Sequence, residues 1–163
     1  MNPQQVLIGI GSNLDDPKKQ VSRAIAVLNT IQETRLLLRS SLYSSSPRGP
    51  QDQNNFVNAA TLIETYLNPA QLLNSLQTIE SDFGRLKKRR WGERIIDLDI
   101  VFFGQQEVSL SNPNLTIPHA EALLRDFVMI PCLEICPEWR LPNGKPLRDY
   151  TSGCETHNLH QLG

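Results

Sequence analysis

Asp97 and Asp99 sit two residues apart inside Ile95-Ile96-Asp97-Leu98-Asp99-Ile100-Val101-Phe102-Phe103. The stretch is rich in β-branched and aromatic residues, which predicts a buried strand. Side chains alternate along a strand, so both carboxylates face one side. Two carboxylates in apolar surroundings repel each other and are costly to desolvate. A divalent cation relieves that cost. Directly ahead lie Arg85, Lys87, Lys88, Arg89, Arg90 and Arg94 around a lone Trp91. Arginine suits phosphate because its planar fork donates two parallel hydrogen bonds. Acid pair and basic run together point to a magnesium–polyphosphate site. The plain alternative is a solvated basic loop, with one aspartate as a cap and the other paired to an arginine. Apolar residues on both sides of the pair make two structural carboxylates expensive and favour the metal.

Other residues carry weaker signals. Gln77 and Glu80 lie three apart beside the apolar stripe of a predicted helix, as an exposed pair or as contacts for a ribose or base. Phe56 and Asn58 alternate on one face of a predicted strand. They form a shelf and a hydrogen-bonding partner for a planar heterocycle, with core packing as the default for Phe56. Pro118-His119, followed by Arg125 and Phe127, adds a phosphate contact and an aromatic. Gly9-Ile10-Gly11-Ser12-Asn13-Leu14 lacks the third glycine of a dinucleotide fingerprint, and no P-loop sequence occurs. Cys132 and Cys136 have no second Cys/His pair at zinc-finger spacing.

The elements that must position these residues are legible from periodicity. Gln5 to Ile10 reads as a strand running into the turn Gly11-Ser12-Asn13. Asp16-Pro17 starts a helix, with aspartate as N-cap, and Val21, Ala24, Ile25, Leu28 and Ile31 form its apolar face. Leu36 to Tyr43 reads as a second strand, Ser44 to Gln53 as a loop, and Phe56 to Ile63 as a third strand. Asn68-Pro69 starts a second helix with Leu72, Leu76, Ile79 and Phe83 buried and Gly84 as its C-terminal cap. The order β-α-β-β-α-β is the ferredoxin-like α/β (α+β) pattern, with extra C-terminal helices and short strands. His119 to Cys136 is expected to be helical but interrupted at Pro131, and Leu141 to Lys145 to be a tight turn. The polar tail, residues 153–163, is expected to be flexible.

Composition bounds the function. The 163 residues, 39% hydrophobic and 20% charged, suit one soluble domain spanning 1–163. Residues 85–94 carry net +5, whereas the rest of the chain carries net −6. A nucleic-acid binder would spread its basic face more widely, so a small anion is the better partner. No apolar run is long enough to span a membrane, and no secretory leader is expected. Three cysteines argue against a disulfide framework and fit a reducing cytoplasm. Two rivals stay open. One is a metal-dependent nucleotidyltransferase, for which the Gly11-Ser12 and Asp-x-Asp motifs lie unusually far apart. The other is a ferredoxin-like RNA-binding module, for which the strand aromatics are missing.

The chain resembles the 6-hydroxymethyl-7,8-dihydropterin pyrophosphokinases of folate biosynthesis. The resemblance rests on Ile10-Gly11-Ser12-Asn13-Leu14, Gly49-Pro50-Gln51-Asp52-Gln53, Phe56-Val57-Asn58-Ala59-Ala60 and Gly84-Arg85. It continues through Arg90-Trp91-Gly92-Glu93-Arg94, Asp97-Leu98-Asp99-Ile100 and Leu115-Thr116-Ile117-Pro118-His119. It covers about Leu7 to Pro137. Ser46 stands where the family commonly has proline, Lys87 where it has arginine, and Ala120 where a larger residue is usual. The resemblance implies a monomeric cytoplasmic enzyme that transfers the β,γ-diphosphate of ATP to the pterin hydroxymethyl group and releases AMP. It implies two Mg²⁺ on Asp97 and Asp99, with Arg85 and Arg94 steadying the transferring group. Lys88, Trp91, Arg94, His119 and Arg125 would line the triphosphate, and Gln77, Glu80, Ile100 and Thr116 the adenosine. Phe56 and Phe127 would sandwich the pterin, with Asn58, Asp97 and the backbone near Ser45, Ser46 and Arg48 reading its edge. The basic loop and the Ser44–Gln53 loop are expected to move as ligands bind.

Overall fold

The computed structural model describes residues 2–47, 49–84 and 95–162. The chain opens with β1 (Gln4–Ser12), α1 (Pro17–Leu28), β2 (Thr34–Arg39), β3 (Tyr43–Ser45) and β4 (Phe56–Thr65). It continues with α2 (Pro69–Asp82) and β5 (Asp97–Phe103). The hairpin β6 (Val108–Ser111) and β7 (Asn114–Ile117) follows, then a 3₁₀ turn at Ala122–Leu124 and α3 (Asp126–Ile135). A second 3₁₀ stretch, Leu147–Gly153, leads to β8 (His160–Gln161).

The main sheet runs β5-β1-β4-β3-β8, with β2 also on β4. Every pairing in it is antiparallel. Taking β2 and β3 as two pieces of one line along β4, this is the ferredoxin-like order. The expected single strand from Leu36 to Tyr43 is broken for a local reason. Ser40 N donates to Ala60 O, but the reciprocal Ala60 N donates to Ser40 Oγ at 2.8 Å, so a side chain replaces one rung of the ladder.

Strand alternation divides the core between two faces. Val6, Ile8 and Ile10 of β1 pack with Leu98 and Ile100 of β5 against Val21, Ile25 and Leu28 of α1 and Leu72, Leu76 and Ile79 of α2. On the other face Leu7, Leu62, Val101 and Phe102 meet Met129 and Cys132 of α3. Each such side chain, removed from water, contributes roughly 1.5–3 kcal/mol. A bulge in the β1–β5 pairing, where Leu7 faces Phe102 but Ile8 faces Ile100, puts Val101 and Phe102 in the same cluster.

The helix ends differ from one another. Asn68 makes a full capping box with Gln71. Asp16, expected to cap α1 in the same way, makes no side-chain cap bond, because its backbone is left-handed at φ 62°. Gly84, at φ +79°, closes α2 with its amide on Ser81 O. Pro131 does not interrupt α3: the helix runs through it to Ile135. Its missing N–H would have bonded Phe127 O, so the ladder is loosened only at the first turn. Leu141 to Lys145 forms the expected turn, with Leu141 N on Lys145 O at 2.9 Å and Gly144 at φ +85°. It is flanked by one isolated bridge, Arg140 with Pro146. Among the described residues no helix is long and apolar enough to cross a membrane.

Candidate active site

A cavity of about 120 Å³ opens where the C-terminal end of β1 meets the N-terminal ends of β4 and β5. Its floor follows from the register of three strands. Gly11 lies opposite Asp97 on one side and Asn58 on the other, and Gly9 lies opposite Asp99 and Ala60. The central strand therefore contributes no side chain on this face between the carboxylates and Asn58. A methyl group on Gly11 would lie 3.4 Å from Asn58 Oδ1 and 3.6 Å from the Phe56 ring.

Two other segments close the cavity. Ser45 and Ser46 enter from the end of β3, His119 and Arg125 from the stretch leading into α3, and Phe127 and Val128 from the first turn of α3. Asn58 is buried, and its Nδ2 donates to Ser45 Oγ at 2.8 Å. His119 is fixed beside β5 by its amide, which donates to Val101 O at 3.0 Å. Its Nδ1 accepts from Glu121 N at 3.3 Å, leaving Nε2 to carry the proton of the neutral ring. Arg125 is held by Glu121 Oε2 at 2.8 Å, with its guanidinium 5.8 Å from the centre of the Phe127 ring. Arg125 Nε is buried and has no hydrogen-bond partner among the described residues.

The cavity thus collects Asp97, Asp99, Ser45, Ser46, Phe56, Asn58, His119, Arg125 and Phe127, all expected from sequence. Four expected residues do not line it. Ile100 is buried on the opposite face of β5, toward α1 and α2. Gln77 is exposed on α2, and Thr116 is exposed on β7. Glu80 is not the exposed partner of Gln77: it is 6% exposed, and its Oε2 accepts from Leu98 N at 2.8 Å. Arg48, Arg85, Lys88, Trp91 and Arg94 lie outside the described residues.

From sequence, Gly9 and Gly11 read as a failed dinucleotide motif, and Gly11 as part of a turn and of the family stretch, but neither reads as the floor of a cavity. Their usable signal is the spacing of two within a strand, which strips one face of side chains. Asn13 is another missed contributor. Its Nδ2 donates to Gln53 Oε1 at 2.9 Å and Asn54 O at 3.1 Å, tying the end of β1 to the loop before β4.

Asp97 and Asp99 supply hard oxygen donors at the open cavity, as Mg²⁺ requires. Among the described residues no group of three or more His, Cys, Asp or Glu could hold a metal. Two carboxylates alone are an incomplete set, and the remaining positions suit water and phosphate oxygens, the usual complement for Mg²⁺. The cysteines take no part: burial pushes the thiol of Cys132 well above its ordinary range and raises that of Cys136.

Known proteins resemble the chain throughout. It is 40% identical over 159 residues to a 2-amino-4-hydroxy-6-hydroxymethyldihydropteridine pyrophosphokinase of Pseudomonas aeruginosa, covering 98% of this chain and 97% of that one. It is 41% identical over 155 residues to the Haemophilus influenzae protein of the same name, covering 95% and 96%. The fold matches a Plasmodium falciparum HPPK-DHPS crystal structure at TM-score 0.73 and 13% identity, over 92% of this chain and 43% of that longer one. The model of 7,8-dihydro-6-hydroxymethylpterin-pyrophosphokinase (HPPK) matches residues 7–137, and the chain belongs to that family.

Proposed function

We propose that this chain transfers the β,γ-diphosphate of ATP to the hydroxymethyl oxygen of 6-hydroxymethyl-7,8-dihydropterin, in a cytoplasmic step of folate biosynthesis. The observation that carries the reading is the juxtaposition, across two bare glycines, of Asp97 and Asp99 with Phe56 and Asn58. One side of the cavity is chemistry for a metal–phosphate, the other for a flat heterocycle with polar edges.

In this reading Phe56 and Phe127 face the two sides of the pterin ring, and Asn58 and the Ser45–Ser46 backbone hydrogen-bond its edge. Asp97 and Asp99 hold two Mg²⁺, which supply charge neutralisation to the phosphate oxygens. Asp97 also orients the substrate hydroxyl. The hydroxyl oxygen bonds to the β-phosphorus, the bond from that phosphorus to the α,β-bridging oxygen breaks, AMP leaves, and one proton is released. His119 Nε2 and Arg125 donate to phosphate oxygens. Arg85 and Arg94 oppose charge developing on the bridging oxygen, with Lys88 and Trp91 on the same triphosphate. Gln77, Glu80, Ile100 and Thr116 belong to the adenosine end. Glu80 acts there through the strand it holds. Such transfers need positioning and charge compensation more than covalent catalysis. The enzyme works as a monomer on small molecules and needs no nucleic acid.

The test is ³¹P NMR of ATP, Mg²⁺ and the pterin with the protein, beside Asp97→Ala. AMP and a pterin diphosphate, lost in the variant, are expected. ADP as product would mean a single-phosphoryl kinase, and no turnover by folded protein would overturn the reading.

A further inference from the structure

The chain after Ser152 returns to the candidate site from outside the sheet. Glu155 N donates to Leu124 O at 2.8 Å and bridges Arg125 in parallel. Further on, His160 and Gln161 pair with Ser44 and Tyr43, and Leu162 N donates to Leu42 O at 2.8 Å. The segment therefore spans from the entrance of α3 to the outer edge of β3.

His157 sits between these anchorages and touches both walls of the cavity. Its amide donates to Asp126 Oδ2 at 3.0 Å, and its Nδ1 lies 2.8 Å from Asp126 Oδ1. Its carbonyl accepts from Ser46 N at 2.7 Å. Its ring meets Phe127 edge-on, with centroids 5.1 Å apart and planes at 81°. The next residue, Asn158, turns the chain in the left-handed region at φ 51° and donates from Nδ2 to Ser46 Oγ at 2.9 Å. The side chains of His157 and Asp126 are only 11% and 13% exposed, so water competes weakly for their bond. That bond needs no charge on the ring, since a neutral imidazole with its proton on Nδ1 donates to a carboxylate.

Ser46 and Phe127 come from separate elements, and both line the cavity. We infer that the C-terminal strap, pinned through His157 to Asp126 and Ser46, fixes the spacing of Ser46 and Phe127, so that His157 is a positioning residue for the planar heterocycle. The inference rests on the reading of this cavity as the pterin pocket. A ring slot gains affinity when its walls are held in place before the ligand arrives. The strap's tie toward Arg125, on the polyphosphate side, runs through the backbone of Glu155 and not through His157, so loss of the His157 side chain is expected to act on one substrate.

The test uses the full chain as wild type, His157→Ala, His157→Asn and Asp126→Asn. Kinetics with both substrates are combined with amide exchange at Ser46 in the ligand-free protein. In His157→Ala, KM for the pterin should rise about tenfold, while kcat and KM for ATP stay within about twofold. Ser46 exchange should quicken. His157→Asn, whose Nδ2 takes the place of Nδ1, should restore Ser46 protection and part of the KM. An unchanged pterin KM, or losses in both KM values and kcat that track the melting temperature, would overturn the proposal. Should His157→Ala not fold, Asp126→Asn keeps the side chain's size and carries the same comparison. If wild type turned over no pterin, the reading of the cavity would fall alone. Faster Ser46 exchange in His157→Ala would then still uphold the strap, and unchanged exchange would overturn it.

Discussion

Leu98, the residue between the two aspartates, donates its amide to Glu80 Oε2 at 2.8 Å. Among the described strands β5 is the sheet's terminal one, so amides on its outer side need a partner from elsewhere. A buried carboxylate on α2 provides it and fixes the height of Asp97 and Asp99 over the cavity. Replacing Glu80 with Ala strands that amide, at a cost of about 1–3 kcal/mol. Glu80→Gln keeps an acceptor and should stay closer to wild type. Urea unfolding of the two variants checks the difference. Equal stability for both would mean that the bond does not hold the strand.

Asp97→Asn and Asp99→Asn each remove one of two like charges placed on the same face of one strand. In Asp99→Asn the relief of that repulsion should leave the fold no less stable, opposite to most core changes. Turnover, by contrast, should fall about 100-fold or more if, as proposed, these carboxylates hold the metal. Melting temperature and AMP release, measured on the same samples, separate the two effects. Turnover within about threefold of wild type would show that these carboxylates do not carry the metal.

The residues that announced themselves were those whose type and period agreed. Leu72, Leu76 and Ile79 repeat at helical spacing and are buried; Asp97 and Asp99 repeat at strand spacing and share a face. Glu80 was misread because its type outweighed its place. It lies four residues after Leu76 and eight after Leu72, squarely on the buried stripe. Ser40 breaks the second strand through one side-chain hydrogen bond, which no pattern of hydrophobicity records. The strap is silent in sequence for a related reason. Most of its ties use backbone groups, and backbone groups leave no mark on composition.

Gly11 offers a test of the cavity floor that leaves the chemistry in place. The methyl group of Gly11→Ala would meet Asn58 Oδ1 and Phe56 at ordinary contact distances, so the strand should accept it. Stability should change by less than about 1 kcal/mol, because a glycine inside a strand costs the native state about as much as the methyl adds crowding. The lost space lies between Asn58 and the carboxylates, so pterin binding should weaken severalfold while ATP binding holds. Calorimetric titration with each ligand reads this directly. An equal loss for both ligands would place the pterin elsewhere.

Tyr43 and Glu134 form the last pair with a sign that can be worked out. Tyr43 OH donates to Glu134 Oε1 at 2.6 Å, and Ser41 donates to the same carboxylate from its amide and its hydroxyl. Burial, then the bond and charge of Glu134, pushes the Tyr43 phenol up to about 12 from 10.0. Burial alone would raise Glu134, but the bonds from Tyr43 and Ser41 outweigh it and leave the carboxyl below its ordinary 4.5. A raised phenol stabilises the fold below its unfolded value, and that stability is lost as pH climbs from 10 toward 12. A lowered carboxyl stabilises the fold above its unfolded value, and that stability is lost as pH falls below 4.5. Tyr43→Phe should therefore weaken the protein near neutrality and flatten both limbs of its stability–pH curve. The ultraviolet titration should show one of the three tyrosines ionising near pH 12 in wild type, and that late step should be gone in Tyr43→Phe. A late step that survives the substitution would assign it to Tyr66 or Tyr150 and remove the clamp between β3 and α3.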